Sequence, residues 1–367
     1  MSASPSPSRK PAPAQHPRRD VPPAETGPAV TALVLNWNGA RVVGDCVRSL
    51  QAQDWPALEV LVVDNASTDG SAEMLEREFP GVRIHRNAAN LGFGGGNNSG
   101  INRIETPYVL MCNNDIDLEP DCVRRLVECL EAHPEAGAAA PMIVLAASGL
   151  VDAAGIVVCP DGLALGGGRA QPPDAMCQGG EVFYVSDCCC LYRRAMLEDL
   201  RLPSGEIYDE DFFAYADETD MGWRAQRRGW KSLYVPEALV YHHHAASSGS
   251  VSPFLTRLVE RNRIWVAVKN FPTWLLLAGI VWSGYRYFWQ VWGAFAGKGR
   301  AGAMASERSK GEMARLLWQA WREAWAGLVP MLRKRAWILR SAPMGPRRFC
   351  EIFRRFGIGA RDIALRD

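Results

Sequence analysis

The chain has 367 residues, of which 48% are hydrophobic and 22% charged, the ordinary balance of a globular protein with a sizeable core. At roughly 150 residues per domain, that length accommodates two domains or one large domain with extensions. Its 41 basic and 40 acidic residues leave a formal net charge of +1, which excludes a nucleic-acid binder built on bulk positive charge.

The near-zero sum hides a division. Residues 29–252 carry 16 Lys+Arg against 31 Asp+Glu, whereas residues 253–367 carry 21 against 7 and hold nine of the thirteen tryptophans. An acidic body followed by a basic, Trp-rich tail predicts two different tasks.

Residues 1–28 contain eight prolines and four basic residues but almost no large apolar side chains. No apolar run follows the basic residues, so the segment does not read as a secretory signal, and its composition predicts disorder. The ten cysteines include the consecutive Cys188, Cys189 and Cys190 and no C-x-x-C pair. That distribution predicts reduced, mostly structural thiols rather than a disulfide framework or a zinc site.

From Val30 the punctuation becomes regular. An apolar run over 30–35 ends in Asn36-Trp37-Asn38-Gly39 and is followed by a helical stretch with Val43, Val47 and Leu50 in register. A second run over 58–63 stops at Asp64-Asn65 and leads into a helix carrying Met74, Leu75 and Phe79. A short strand over 82–85, a helix over 94–104, a strand over 108–112 and a helix over 119–130 follow. Short strands alternating with helices predict an α/β fold with a mostly parallel sheet covered on both faces.

In such sheets ligands sit beyond the carboxyl ends of the strands. Three successive strand ends here are polar: Asn36/Asn38, Asp64/Asn65 and Asn113/Asn114/Asp115. No G-x-x-x-x-G-K-[ST] loop follows the first strand, and the stretch from Gly92 to Gly96 fails G-x-G-x-x-G because Asn97 stands where the third glycine belongs. A carboxylate-held divalent cation is the other way to neutralise a diphosphate.

These segments resemble the catalytic core of the family-2 glycosyltransferases. The resemblance is carried by residues 30–38, by Val62-Val63-Asp64-Asn65-Ala66-Ser67-Thr68-Asp69-Gly70-Ser71, by Asn90-Leu91-Gly92-Phe93-Gly94-Gly95-Gly96-Asn97-Asn98, and by Asn113-Asn114-Asp115. It continues through 210–229 and 240–242, about 240 residues in all. The Asn-Leu-Gly-Phe segment with Asn-Asn-Asp is similar to bacterial rhamnosyltransferase-like members that build cell-surface polysaccharides. The resemblance implies a GT-A fold over 29–252, with 253–367 as a helical C-terminal extension.

It also implies roles. Asp64 would accept the imide N–H of uracil or thymine, with Asn36 and Asn38 lining the base and ribose pocket and Asn65, Asn90, Gly92, Asn97 and Asn114 completing the nucleotide-sugar site. On composition alone, Asp64 to Gly70 equally forms a turn and helix cap, with Asp69 as the capping residue. Asp115 would bind Mg²⁺ or Mn²⁺ together with Asn113, which replaces the usual first carboxylate, and with His242 from the His242-His243-His244 run. Asp117 reads as a polar residue near the next helix rather than a second metal ligand.

The catalytic base would be Glu218, with Asp217 beside it, in the order opposite to the usual Glu-Asp. An acidic first turn favoured by the helix dipole is the plain structural alternative. Asp209-Glu210-Asp211 reads as a solvated loop or acceptor-side surface, and the segment from Ser186 to Cys190, where relatives usually have glycine or alanine around Asp187, should lie near the acceptor.

The implied reaction is inverting, metal-dependent transfer from a dTDP- or UDP-sugar, with rhamnose a candidate sugar, to a hydroxyl of a cell-surface polysaccharide or polyprenyl-linked glycan. In the tail, an apolar stretch over 274–285 is too short to span a bilayer, and a helix over 313–329 aligns Leu317, Trp321, Trp325 and Leu328. Amphipathic Trp/Arg-rich helices suit the surface of an anionic leaflet, so residues 273–340 are expected to make peripheral contact with the cytoplasmic face of the plasma membrane. Packing of these helices on the body is the alternative. The alternative function is a catalytically silent relative that binds membrane or partner proteins.

Overall fold

A computed structural model describes residues 27–244, 252–296 and 310–365. Apart from Gly27 and Pro28, the segment expected to be disordered lies outside the described residues.

The aliphatic runs form strands as expected: β1 (Val30–Asn36), β2 (Leu58–Asp64), β3 (Arg83–Arg86) and β4 (Tyr108–Asn113). They are joined by α1 (Val43–Gln51), α2 (Ser71–Glu78) and α3 (Gly92–Ile101). The third helix begins two residues earlier than the spacing predicts, because Gly92 takes a positive φ of 74° and packs where any Cβ would lie 2.2 Å from the Phe213 carbonyl oxygen. Strands β5 (Ile116–Leu118), β6 (Ala136–Leu145), β7 (Val151–Ala153), β8 (Ile156–Val158), β9 (Ala164–Gly166), β10 (Gly180–Val182), β11 (Cys189–Arg193) and β12 (Lys231–His242) follow. Helices α4 (Cys122–Ala132), α5 (Arg194–Asp199) and α6 (Asp217–Arg228) lie among them.

The main sheet runs β10-β12-β6-β11-β4-β1-β2-β3, with β1 parallel to both β2 and β4. Register places Asn36 opposite Asp64 and Leu35 opposite Asn113, so the polar ends of three strands share one edge. Side chains alternate across the pleat. Leu33 joins the core on one face with Val63 and Trp223, while Ala32 and Val34 join the other with Val47, Leu50 and Leu126. Burying each such aliphatic side chain stabilises the fold by about 1.5–3 kcal/mol. Six of the ten cysteines, Cys46, Cys112, Cys122, Cys159, Cys189 and Cys190, are buried within the α/β body, and Cys188 is half-buried there.

The tail contributes α7 (Pro253–Asn270), α8 (Thr273–Ala296), α9 (Lys310–Ala326), α10 (Leu328–Ser341), α11 (Pro346–Phe356) and α12 (Ala360–Leu365). The helix expected over 313–329 is instead broken at Gly327, which sits against Trp265 so closely that a Cβ would lie 2.3 Å from the indole. One side of this tail is fixed to the body by buried ion pairs. Arg286 meets Asp161 at 2.7 Å and Glu260 at 3.0 Å, and Lys269 meets Asp220 at 2.9 Å and Asp209 at 2.5 Å. Among the described residues, no helix is long and apolar enough to cross a membrane.

Candidate active site

The polar strand ends form a continuous chain of hydrogen bonds. The Asn114 amide donates to Asn36 Oδ1 at 2.9 Å, and the Asn36 amide donates to Asp64 Oδ1 at 3.2 Å and to Ser71 Oγ at 2.9 Å. Gly39 makes room for this pairing, since a Cβ there would lie 2.2 Å from the Asn114 amide. Asp64 Oδ2 accepts the Ser67 N–H at 3.1 Å. Asp69 accepts the N–H of Ser71, the first residue of α2, at 3.0 Å and the Ala40 N–H at 2.8 Å, which holds its carboxyl below the usual range despite partial burial.

The remaining residues expected at the nucleotide end divide in two. Asn38 is exposed, with φ 52°, and its Oδ1 accepts the Thr68 N–H at 2.8 Å, tying the first two strand-end loops together. Asn65 uses its whole amide on the loop before α3, donating to Asn90 Oδ1 at 3.0 Å and the Gly92 carbonyl at 2.9 Å and accepting from Asn87 and Leu91. Asn90 also accepts the Gly92 N–H at 2.9 Å. Asn97 is fully buried on α3, and its amide nitrogen has no hydrogen-bond partner.

Asp115 lies on the turn between β4 and β5, two residues beyond Asn113. The end of β12 pairs with β5 and brings His242 Nε2 to 3.3 Å from Asp115 Oδ1. On the opposite side of the ring, His242 Nδ1 lies 2.8 Å from Asp152 Oδ2, and His244 Nε2 lies 3.2 Å from the same oxygen. Asp152, His242 and His244 can each present a ligand atom within 4.8 Å of the others. Burial would raise the Asp152 carboxyl, but the two histidines and the Arg169 guanidinium outweigh it and hold the carboxyl well below the usual range. His243 turns away to Asp117 at 3.0 Å, and Asp117 itself lies on β5. Carboxylates and imidazoles gathered in this way can hold a divalent cation.

The third part is the start of α6. Asp217 is buried, both of its carboxylate oxygens lack partners, and burial followed by the charges of Glu218 and Asp187 pushes its carboxyl well above the usual range. Glu218 is half-buried and is pushed up to about 7 by burial and by Asp187. Asp187 is itself pushed up to about 6 by burial, although Tyr192 donates to it at 2.5 Å. Three carboxylates whose proton affinities have been raised suit proton transfer near neutral pH. A dipole-favoured first turn explains acids at this position but not their burial without partners.

Asp209 departs from the solvated loop expected of it. It is 2% exposed and ion-paired with Lys269 and Lys334, which override burial and hold its carboxyl well below the usual range. Glu210 accepts from Asn98 at 3.0 Å, and Asp211 remains exposed beside Lys334.

The profile of the family "Glycosyl transferase family 2" matches residues 31–201. Among curated proteins, the chain is 27% identical over 226 residues to an N-acetylglucosaminyl-diphospho-decaprenol L-rhamnosyltransferase of Mycobacterium tuberculosis, a match covering 52% of this chain and 68% of that one. Residues 31–201 form a domain of that family, and the chain is a glycosyltransferase.

A shorter match, 32% identical over 113 residues, joins it to the succinoglycan biosynthesis protein ExoO of Rhizobium meliloti and covers 30% of this chain and 32% of that one. Among solved structures, that of GalNAc-T7 with UDP, GalNAc and Mn²⁺ superposes with a TM-score of 0.54 at 15% identity. It covers 67% of this glycosyltransferase, which spans about half of that structure, and it supports the GT-A fold.

Two site residues escape the sequence reading. Asp152 lies on β7 within Val151-Asp152-Ala153-Ala154, and a lone acid in a small apolar run is the only sign it gives. Asn98 accepts the N–H groups of Ile207 and Tyr208 and donates to the Tyr208 carbonyl at 2.8 Å, securing α3 to the segment that leads to α6. Neither partner can be read from sequence spacing.

Proposed function

We propose that this glycosyltransferase moves a sugar, with rhamnose the leading candidate, from a UDP- or dTDP-sugar to a hydroxyl of a surface polysaccharide or polyprenyl-linked glycan, with inversion at the anomeric carbon. The observations that support the reading are the Asp64–Asn36–Asn114 chain at the strand ends, the Asp115–His242–Asp152 cluster that begins one residue beyond Asn114, and the raised carboxylates of α6, where Asp217 packs against Gly94 of α3. The mycobacterial relative's name specifies a rhamnosyl transfer to a diphospho-decaprenol-linked sugar, which favours rhamnose and a lipid-linked acceptor.

In this reading Asp64 and Asn36 orient the base and ribose, and Asn114 and Asn97 lie toward the diphosphate. Asp115 and His242, with Asn113 beside them, would hold Mg²⁺ or Mn²⁺. The bound cation would stabilise the charge of the departing nucleoside diphosphate. Glu218 takes the proton from the acceptor hydroxyl as its oxygen attacks the face opposite the leaving group. General base assistance of this kind contributes typically 10²–10⁴-fold.

The acceptor class also accounts for the tail's outer side. Leu277, Val281, Phe288 and Phe295 on α8 are 60–75% exposed, as are Trp318 and Trp325 on α9 at 71% and 67%. An apolar helix face this large, in a region with 21 basic residues, suits the headgroup boundary of an anionic cytoplasmic leaflet.

The direct test presents the purified chain with UDP-, dTDP- and GDP-sugars, with and without Mn²⁺. The reading expects metal-dependent turnover or thermal stabilisation by one donor, with Glu218→Gln retaining binding and losing transfer. Absence of binding by every donor with either metal would overturn it. For the membrane, flotation with phosphatidylglycerol vesicles should weaken in Val281→Asp/Phe288→Asp. Unchanged flotation of that variant would refute the α8 contact.

A further inference from the structure

The segment 212–216, immediately before the acids of α6, follows an improbable path. Phe213, Tyr215 and Ala216 have φ of 66°, 69° and 64°, and none is glycine. Three L-residues in this region within four positions are costly unless their surroundings hold them there. The path also turns several backbone carbonyls inward, where each needs a donor.

The donor comes from the tail. Asn262 on α7 is 0% exposed, and its Nδ2 lies 3.2 Å from the Phe212 carbonyl, 2.8 Å from that of Ala214 and 2.8 Å from that of Tyr215. The neighbouring Arg261 adds a bond of 2.7 Å to the Phe212 carbonyl. Of the two remaining carbonyls, that of Phe213 accepts the Phe93 N–H at 2.5 Å from the start of α3 and that of Ala216 accepts the Asp220 N–H at 3.0 Å within α6. Two turns beyond Asn262, on the same face of α7, Lys269 binds Asp209 ahead of the segment and Asp220 behind it.

We propose that Asn262 is a positioning residue for sugar transfer, its side-chain amide holding 212–216 in the conformation that sets Asp217 and Glu218 at the strand-end site. The inference rests on the reading of Glu218 as the base. It places the first helix of the basic tail in the transfer machinery, although the sequence division at 252 assigns that helix to a separate region. An amide is suited to the role because it offers two N–H groups to a cluster of carbonyls. A carboxylate of the same shape offers none and repels them.

The test uses the full chain with Asn262→Asp, which keeps the shape and removes the donors, and Asn262→Ala as a second variant. Hydrogen exchange of peptides covering 212–218 should accelerate about ten-fold or more in both, while peptides covering 58–66 and 108–115 keep their protection. Thermal stabilisation by UDP or dTDP with Mn²⁺ should match the parent chain. Metal-dependent hydrolysis of UDP- or dTDP-sugars should fall by about 10–100-fold in kcat with KM little changed. Unaltered exchange over 212–218 in Asn262→Asp would overturn the proposal. So would a loss of protection spread equally over the nucleotide end with loss of nucleotide stabilisation, which marks a merely structural residue. If Glu218→Gln retained full hydrolysis, the base assignment would fail, while the exchange result would still decide whether Asn262 holds the segment.

Discussion

Asp152 lies 2.8 Å from His242 Nδ1, on the side of the imidazole opposite Asp115. The contact with that carboxylate fixes the ring's orientation and turns Nε2 toward Asp115. Carboxylates that orient a metal-binding histidine typically govern affinity by 10–100-fold. Asp152→Asn should therefore weaken Mn²⁺ binding by about that factor, read by calorimetric or EPR titration, with metal-free nucleotide binding unchanged. An affinity equal to that of the parent chain would remove Asp152 from the site.

The position of Glu218 at about 7 gives the rate a sign with pH. A general base works deprotonated, so kcat should climb through neutrality and level off above it. Asp187→Asn removes a like charge that raises Glu218, so the acidic limb should move to lower pH. A limb that stays in place would show that Asp187 does not act on the base.

Stability should follow the opposite trend to activity. Glu218 and Asp187 have folded-state pKa values raised above their unfolded ones, to about 7 and about 6. Their contribution is fully present below pH ~4 and is lost as pH rises through those values. Glu218→Gln should therefore melt higher than the parent above pH 7, on the order of 2 °C or more, while losing transfer. Equal melting points at pH 8 would argue against a raised carboxyl.

Lys269 is fully buried between Asp209 and Asp220. Lys269→Met takes away the cation that two buried carboxylates share, leaving Asp209 with Lys334 and Asp220 with Arg224, and removing one partner of a buried pair costs about 3–5 kcal/mol. Denaturant melts should show that loss, and the added carboxylate protonation should make the variant less unstable at low pH than at neutral pH.

The meeting of the polar strand ends was legible because its logic is local. Asn36, Asp64 and Asn113 each close an apolar strand run, and parallel strands must place those ends together. The acids of α6 were singled out through resemblance alone, and the burial of Asp217 without a partner was not in the sequence pattern. Asp209 was misread because three consecutive charges resemble a solvated loop until Lys269 and Lys334 arrive from the tail. Asp152 and Asn262 were missed for the same reason: each acts on residues distant in the chain, and nothing in their own neighbourhoods marks the partner.

The bonds between tail and body also set an order of events at the ribosome. Arg286 closes on Asp161 across 125 residues, Lys334 on Asp209 across another 125, and Arg227 on the Ala342 carbonyl across 115. The first four strands need only early residues, so the nucleotide end can assemble while synthesis continues. The segment carrying Asp217 and Glu218 must wait for α7 and α10 to emerge. A nascent chain halted near residue 250 would thus hold joined strand ends beside an acid segment whose backbone carbonyls still lack the donors that α7 brings.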